Sequence, residues 1–373
     1  MFAGLFNDIG EFNIESTAFI VVLSALVLAF IGLAIFGHQK LRWRLLFAGL
    51  AAATAVLTAG ALVNRHFDHF DTVNELFGQN AHDEAPADVL TKQKGIPKHG
   101  FVITQTIPGT ISGFKARQAL VYVPPAYFRT PRPKLPVFVL LHGTPGTTSD
   151  WTRGADADLT TDAFARRHGG MAPILVLPDI NGSFTGDTEC VDSDQGRVET
   201  YLTEDVRRFV SRKFGTATRP GAWVIGGLSE GGTCSVWLAL RHPKLWRTFA
   251  SFSGQADPQH DDDTVDQTVK ALFGGSRLAY LEHTPEYLFK QRRFPGLGGW
   301  FEVGSDDTVP YKDTKRLVPL ARAAGIEACL KVIPNGIHDP GVWTQGYEDA
   351  LPWLAARVGL TPMTPAVQAS CRR

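Results

Sequence analysis

The sequence predicts an α/β protein, a mainly parallel, doubly wound sheet, preceded by two transmembrane helices. Three observations lead there. Two uncharged apolar runs stand at the front of the chain, at residues 16–37 and 45–64. From about residue 135 onward, short apolar runs alternate with segments of helical spacing, as in βα units that feed a parallel sheet. At Gly227-Leu228-Ser229-Glu230-Gly231, a serine sits among glycines where an apolar run meets a helical one.

The apolar runs come first in the chain. Each is about the ~20 residues that a helix needs to span the hydrocarbon core. Between them lie Lys40, Arg42 and Arg44, whereas the segment before them carries Asp8, Glu11 and Glu15 and no Lys or Arg. The positive-inside rule then puts the basic loop in the cytoplasm, and both ends of the hairpin outside. A cleaved signal peptide fits poorly, because there is no basic stretch at the start and the first run is too long. Gly49, Ala51, Ala52, Ala53, Ala55 and Gly60 allow close helix packing. The expectation is a multi-pass protein of the cell membrane with everything after Arg65 on the extracytoplasmic side.

With 373 residues, the chain has room for one large domain plus such an appendage. Its formal net charge is zero, which removes any electrostatic case for nucleic acid. Residues 65–100 are polar and mixed and read as a linker, a tether or loose packing arm, with a short helix at residues 73–77. Residues 101–373 remain for one folded domain. In it, residues 101–107 alternate as a strand and residues 118–123 follow after a Pro108-Gly109 turn, an antiparallel pair at the sheet edge. Residues 135–141 are almost wholly apolar, as a strand covered on both faces must be. Helices are expected at 158–168, 198–214, 311–324 and 343–358. Further strands are expected at 172–179, before Ser229, at 248–254, at 300–304 and at 329–334. Residues 254–298 show little pattern beyond the acidic run Asp261-Asp262-Asp263 and are expected to form a cap.

Ser229 follows the apolar run Trp223-Val224-Ile225 and precedes a helical segment. Strand, sharp turn and helix with a serine at the tip make the nucleophile elbow of an α/β-hydrolase fold. That fold needs its acid and histidine later in the chain, in that order. Asp306 and Asp307 follow the next-to-last strand, and His338 follows the last. Ser229 is the expected nucleophile, His338 the base that takes its proton, and Asp307 the carboxylate that orients the imidazole. Capping of the following helix is the alternative role for both aspartates. The backbone N–H groups of Glu230 and Thr144 are the expected oxyanion donors. His142 is expected to face substrate or to be a simple strand-end residue.

These residues resemble the putative-esterase family, the esterase D-like and mycolyltransferase-like branch of the α/β-hydrolases. The matching pieces are Leu140-Leu141-His142-Gly143 with Trp151, Val198-Glu199-Thr200-Tyr201-Leu202-Thr203, Gly227-Leu228-Ser229, Phe252-Ser253-Gly254, Gly304-Ser305-Asp306-Asp307 and the His338 loop. The likeness spans roughly residues 101–360 and leaves out the membrane hairpin. It implies the acid at Asp307 and an oxyanion donor at Thr144. Glu230 departs from it, since an apolar residue is usual after the nucleophile. A carboxylate there raises the expectation that Glu230 receives an amino group on the substrate. The alternative is that it bonds to neighbouring polar groups.

All four cysteines, Cys190, Cys234, Cys329 and Cys371, follow Arg65, where disulfides can persist. Cys190 lies after one strand and Cys234 one turn into the elbow helix; taking the two as neighbouring elements, a Cys190–Cys234 bridge is expected. Cys329 is expected as a free core thiol and Cys371 in a polar tail. No Cys/His spacing implies a metal, and no cofactor is expected. The leading expectation is a membrane-anchored serine esterase acting on a carboxylic ester, with lipid or envelope esters, aminoacylated ones included, as the expected substrates. An acyltransferase of the same fold and a non-catalytic surface protein are the alternatives. No feature sets the oligomeric state.

Overall fold

The computed structural model describes residues 14, 16–37, 40–67, 84–261 and 263–371. It divides into two compact units, residues 1–83 and 84–373. The short helix expected at 73–77 lies outside the described residues.

The first unit contains two helices, Thr17–Phe36 and Leu41–Phe67. The second starts earlier than expected, so Arg42 and Arg44 stand in its first turn and not in a loop. Arg44 reaches back to the carbonyls of Ala34 and Ile35 at 2.9 and 2.5 Å, which satisfies the otherwise unpaired C-terminal end of the first helix. Phe30 and Phe47 stack between the helices, and Arg65 donates to Thr17 Oγ1 at 3.1 Å, closing the far end. The hydroxyls of Ser24, Thr54 and Thr58 each donate to a carbonyl one turn back, at 2.8 Å. Both helices are long and apolar enough to cross a membrane, and only 11 % of each apolar window is buried. A core helix of a globular domain would be mostly covered.

The second unit is built on an eight-stranded sheet in the order β1-β2-β4-β3-β7-β8-β9-β10. The strands are β1 (Phe101–Gln105), β2 (Ala119–Val123), β3 (Val137–Leu141), β4 (Ile174–Leu177), β7 (Trp223–Leu228), β8 (Thr248–Phe252), β9 (Gly298–Gly304) and β10 (Glu327–Ile333). A two-residue hairpin, β5 (Asp192–Ser193) with β6 (Gly196–Arg197), stands apart. Only β2 runs against its neighbours; every other pairing from β4 to β10 is parallel. β3 shows why its sequence is apolar throughout. Val137, Val139 and Leu141 face one core, and Phe138 and Leu140 face the other.

Residues 84–100 pack on this unit. Ala85 donates to the Val102 carbonyl at 2.8 Å, and Ala85, Val89 and Leu90 lie against the core. The expected helix at 198–214 is present, but its Tyr201–Val206 stretch is wound as a wider π turn. The patternless cap holds three short helices, Val265–Phe273, Arg277–Leu281 and Pro285–Gln291. The first carries a full capping box between Thr264 and Gln267.

The cysteines pair as Cys190–Cys234 and Cys329–Cys371. The first bridge is the expected one, although β4 and β7 are not adjacent, because β3 lies between them. The second corrects the expectation of a free Cys329. Residues Pro365–Ser370 form a helix, capped by Thr364, that returns the chain end to the sheet. Gln368 then donates to Glu327 Oε1 at 2.7 Å, and β10 is the edge strand, so Cys371 can reach Cys329.

Candidate active site

Ser229 sits between β7 and the elbow helix Glu230–Arg241 with φ 52° and ψ −121°. A non-glycine residue with positive φ is strained, and the neighbouring glycines explain how the strain is accommodated. A Cβ on Gly227 would come within 2.1 Å of the Gly231 carbonyl oxygen, and one on Gly231 within 2.4 Å of the Leu141 oxygen. The elbow is therefore pressed onto itself and onto β3.

The acid and histidine loops are joined in the same manner. A Cβ on Gly304 would meet the Gly336 oxygen at 2.2 Å. Asp306 N–H donates to Gly336 O at 2.8 Å, and Asn335 N–H to Ser305 Oγ at 2.8 Å. This contact delivers His338 to Asp307. Asp307 Oδ2 lies 2.8 Å from His338 Nδ1, and His338 Nε2 lies 3.0 Å from Ser229 Oγ. A carboxylate only accepts, so Nδ1 carries the proton and Nε2 is left to accept from the serine hydroxyl. Asp307 stands at the N-cap of helix Thr308–Ala323, yet its side chain makes no capping bond. Its carboxylate is committed to the imidazole. Asp306 instead accepts from Ser305 Oγ at 3.0 Å. The geometry thus assembles a hydroxyl, an imidazole and a nearly buried carboxylate in a line suited to general-base activation of Ser229.

Ser229, Thr144 and Glu230 line one cavity of about 360 Å³. Gly143 makes the close approach of its loop feasible, since a Cβ there would lie 3.0 Å from Ser229 Cβ. Thr144 Oγ1 donates to Gly186 O at 2.5 Å, which ties this loop to the 181–190 segment.

Two expectations on side chains need correction. His142 does not face substrate: it is 1 % exposed. Its Nδ1 donates to Gly143 O at 2.7 Å, and its Nε2 lies between Asp179 Oδ1 and the Ile180 N–H. Arg117 also binds Asp179, at 2.9 and 2.6 Å. Burial alone would raise the Asp179 carboxyl, but its bonds to His142 and Arg117 hold it well below the usual range. This knot braces the strand ends of β3 and β4. Glu230 likewise turns away from any substrate amine. Its Oε2 accepts from Asn181 Nδ2 at 2.7 Å and its Oε1 from Glu189 N–H at 3.1 Å. Cys234, one turn further along the same helix face, bonds to Cys190. Glu230 and Cys234 together clamp the 181–190 loop to the elbow helix.

Sequence patterns missed Asp187 and Glu189. Both are almost fully buried and both line the cavity. Their only sequence signal was a pair of acids immediately ahead of Cys190.

The sequence signature of the Putative esterase family matches residues 115–354. The chain belongs to that family. A protein of Corynebacterium glutamicum described as uncharacterized is 38 % identical over 261 residues, which cover 68 % of this chain and 61 % of the relative. The chain therefore spans less than two thirds of that relative's length. Among solved structures, a ferulic acid esterase superposes with TM-score 0.59 at 19 % identity, over 70 % of this chain and 99 % of that one. An S-formylglutathione hydrolase from Agrobacterium tumefaciens superposes with TM-score 0.57 at 20 % identity, over 72 % and 99 %. A fluorophosphonate-binding serine hydrolase of Staphylococcus aureus superposes with TM-score 0.56 at 18 % identity, over 69 % and 98 %. At these identities the structural likeness is one of fold. This esterase-family chain thus carries the family's α/β sheet behind two apolar N-terminal helices.

Proposed function

We propose that this chain is a membrane-anchored serine esterase that hydrolyses a carboxylic ester through an acyl-enzyme on Ser229. One observation carries it: Ser229 Oγ, His338 Nε2, His338 Nδ1 and Asp307 Oδ2 form a continuous hydrogen-bonded relay of 3.0 and 2.8 Å links. In the proposed reaction His338 takes the Ser229 proton as the oxygen attacks the ester carbonyl. Asp307 stabilises the resulting imidazolium. The oxyanion lies toward the N–H groups of Thr144 and Glu230. His338 returns its proton to the leaving alcohol, and water repeats the sequence in reverse to free the acid.

The two apolar helices supply the anchor, with the Lys40, Arg42 and Arg44 end in the cytoplasm. Two disulfides in the larger unit support an oxidising, extracytoplasmic location for it. An envelope or lipid ester follows from that location.

The test uses purified full-length chain in detergent. Wild type should label with a fluorophosphonate at Ser229 and hydrolyse short-chain 4-nitrophenyl esters. Ser229→Ala should lose the label and at least ~10³-fold in kcat. Hydrolysis that survives Ser229→Ala would overturn the proposal. Product analysis with an added alcohol acceptor identifies transfer, the acyltransferase outcome.

A further inference from the structure

We propose that Asp187 and Glu189 form a subsite beside Ser229 that receives a positively charged amino group of the ester substrate. This rests on the serine-esterase proposal above and specifies its substrate class.

The cavity that opens at Ser229 is lined by four carboxylates, those of Asp187, Glu189, Glu230 and Asp261, together with Thr and Gln side chains and one Pro, and by no Lys or Arg among the described residues. The four acids are not equivalent. Glu230 has both oxygens engaged, as above. Asp261 stands at the rim, with its side chain 68 % exposed to water. Asp187 and Glu189 differ from both. Asp187 Oδ2 accepts from Asp261 N–H at 2.6 Å and Glu189 Oε1 accepts from Gln259 N–H at 3.1 Å. Among the described residues, Asp187 Oδ1 and Glu189 Oε2 have no hydrogen-bond partner, although the two residues are only 3 % and 5 % exposed.

One oxygen of each acid thus anchors the cap segment at residues 259–261, which fixes where the carboxyl sits. The other oxygen of each is left buried and unpaired, on residues that line the reaction cavity. Buried polar atoms are nearly always paired, and two such atoms on neighbouring acids reinforce each other's cost. Burial, then the repulsion of Asp187 and Glu230, holds the Glu189 carboxyl well above its ordinary range. Burial also raises Asp187. His260 acts on Asp187 in the opposite direction, and its Nδ1 is turned to Asp263 at 3.0 Å.

A ligand that enters the cavity can supply this partner. A sugar or glycerol hydroxyl supplies one donor and leaves the repulsion between the acids in place. An ammonium supplies several donors and a charge of the opposite sign, so it can bond to these acids and favour their ionised forms. An anionic group, such as a phosphate or free carboxylate, is disfavoured at the same wall. The amine belongs either to the acyl part of the ester or to the alcohol part.

Matched ester pairs in detergent test this on the full-length chain. Alanine methyl ester against its N-acetyl form places the charge on the acyl side. 2-(Dimethylamino)ethyl butyrate, which carries an N–H when protonated, against 3-methylbutyl butyrate places it on the alcohol side. For one pair, the cationic ester should exceed its neutral partner in kcat/KM by about tenfold or more. Asp187→Asn and Glu189→Gln should each bring that ratio toward one, mainly through KM. Propylammonium should compete with substrate on the wild type, and propanol should not. Where a variant fails to unfold cooperatively, this wild-type competition decides. Neutral esters hydrolysed with ratios near one for both pairs would overturn the subsite and leave the esterase standing. An absence of any Ser229-dependent hydrolysis would overturn both. Binding of calcium in place of the amine would assign the same oxygens to a metal and overturn the subsite.

Discussion

Glu302 shows what a single residue discloses about the strain beneath the site. It lies on β9, five positions before Asp307, is 0 % exposed, and among the described residues has no hydrogen-bond partner on either oxygen. Gly346 in the closing helix Pro340–Arg357 leaves it room, because a Cβ there would meet Glu302 Cδ at 2.7 Å. Burial, then the nearby charges of Asp307, Asp349 and Asp339, push its pKa well above the usual carboxylate range. A group raised in the folded state stabilises fully below its unfolded pKa, near 4.3, and that contribution falls as pH rises toward the folded value. The slope is about 1.4 kcal/mol per pH unit per group. Glu302→Gln removes this titration. Its melting temperature should therefore gain on wild type between pH 5 and pH 7. A constant gap across that range would show that Glu302 does not titrate with folding. The same residue scale explains Glu230. What reads in sequence as a charge offered to substrate is, in three dimensions, a buried acceptor with both oxygens occupied. Which way a side chain turns from a helix N-terminus depends on the loop packed over it.

At the scale of elements, the 181–190 loop governs the shape of the cavity, and it is held at two points on one helix face. Glu230 grips Asn181 and Glu189, and Cys234 grips Cys190. Opening the bridge in Cys190→Ser/Cys234→Ser frees a segment of sequence separation 44. The expected loss of stability is about 2–4 kcal/mol, read by chemical denaturation. Ester hydrolysis should fall more than Ser229 labelling does, because the cavity wall loosens while the relay of Ser229, His338 and Asp307 does not pass through the bridge. Equal loss of both would place the bridge in general folding instead. A second tie joins the cap to the elbow helix. Glu199 accepts from Arg241 at 2.8 Å, from His242 at 2.6 Å and from His283 at 3.2 Å. Burial alone would raise Glu199, but these partners hold it well below its ordinary range. The cap helices escaped pattern reading because each is short. The local marks they carry are the capping box at Thr264 and Gln267, the Ser276 cap and the Pro285 start.

For the whole molecule, the two units are separable by their contacts, with the division at residues 83 and 84. A chain beginning at Glu84 keeps the Ala85 bridge to Ile103 and the packing of Val89 and Leu90 on the core. It is expected to stay soluble without detergent and to hydrolyse water-soluble esters within about threefold of the full chain, since no residue of the relay precedes Ser229. The full chain should partition into membranes and resist extraction by high salt. Recovery of the full chain in the soluble fraction would remove the anchor from the proposed function.

The sequence by itself determined the βα alternation, the elbow at Ser229, the order of Ser229, Asp307 and His338, and the two apolar helices. Each of these is written in local patterns: periodicity, glycine spacing and runs of a single polarity. The structure alone decided that Cys371 returns to Cys329, that His142 and Glu230 are braces, and that Asp187 and Glu189 line the cavity. Those outcomes depend on which distant segments pack together. Residues far apart in the chain meet only after the sheet is formed, and no local pattern records the side-chain orientations that result.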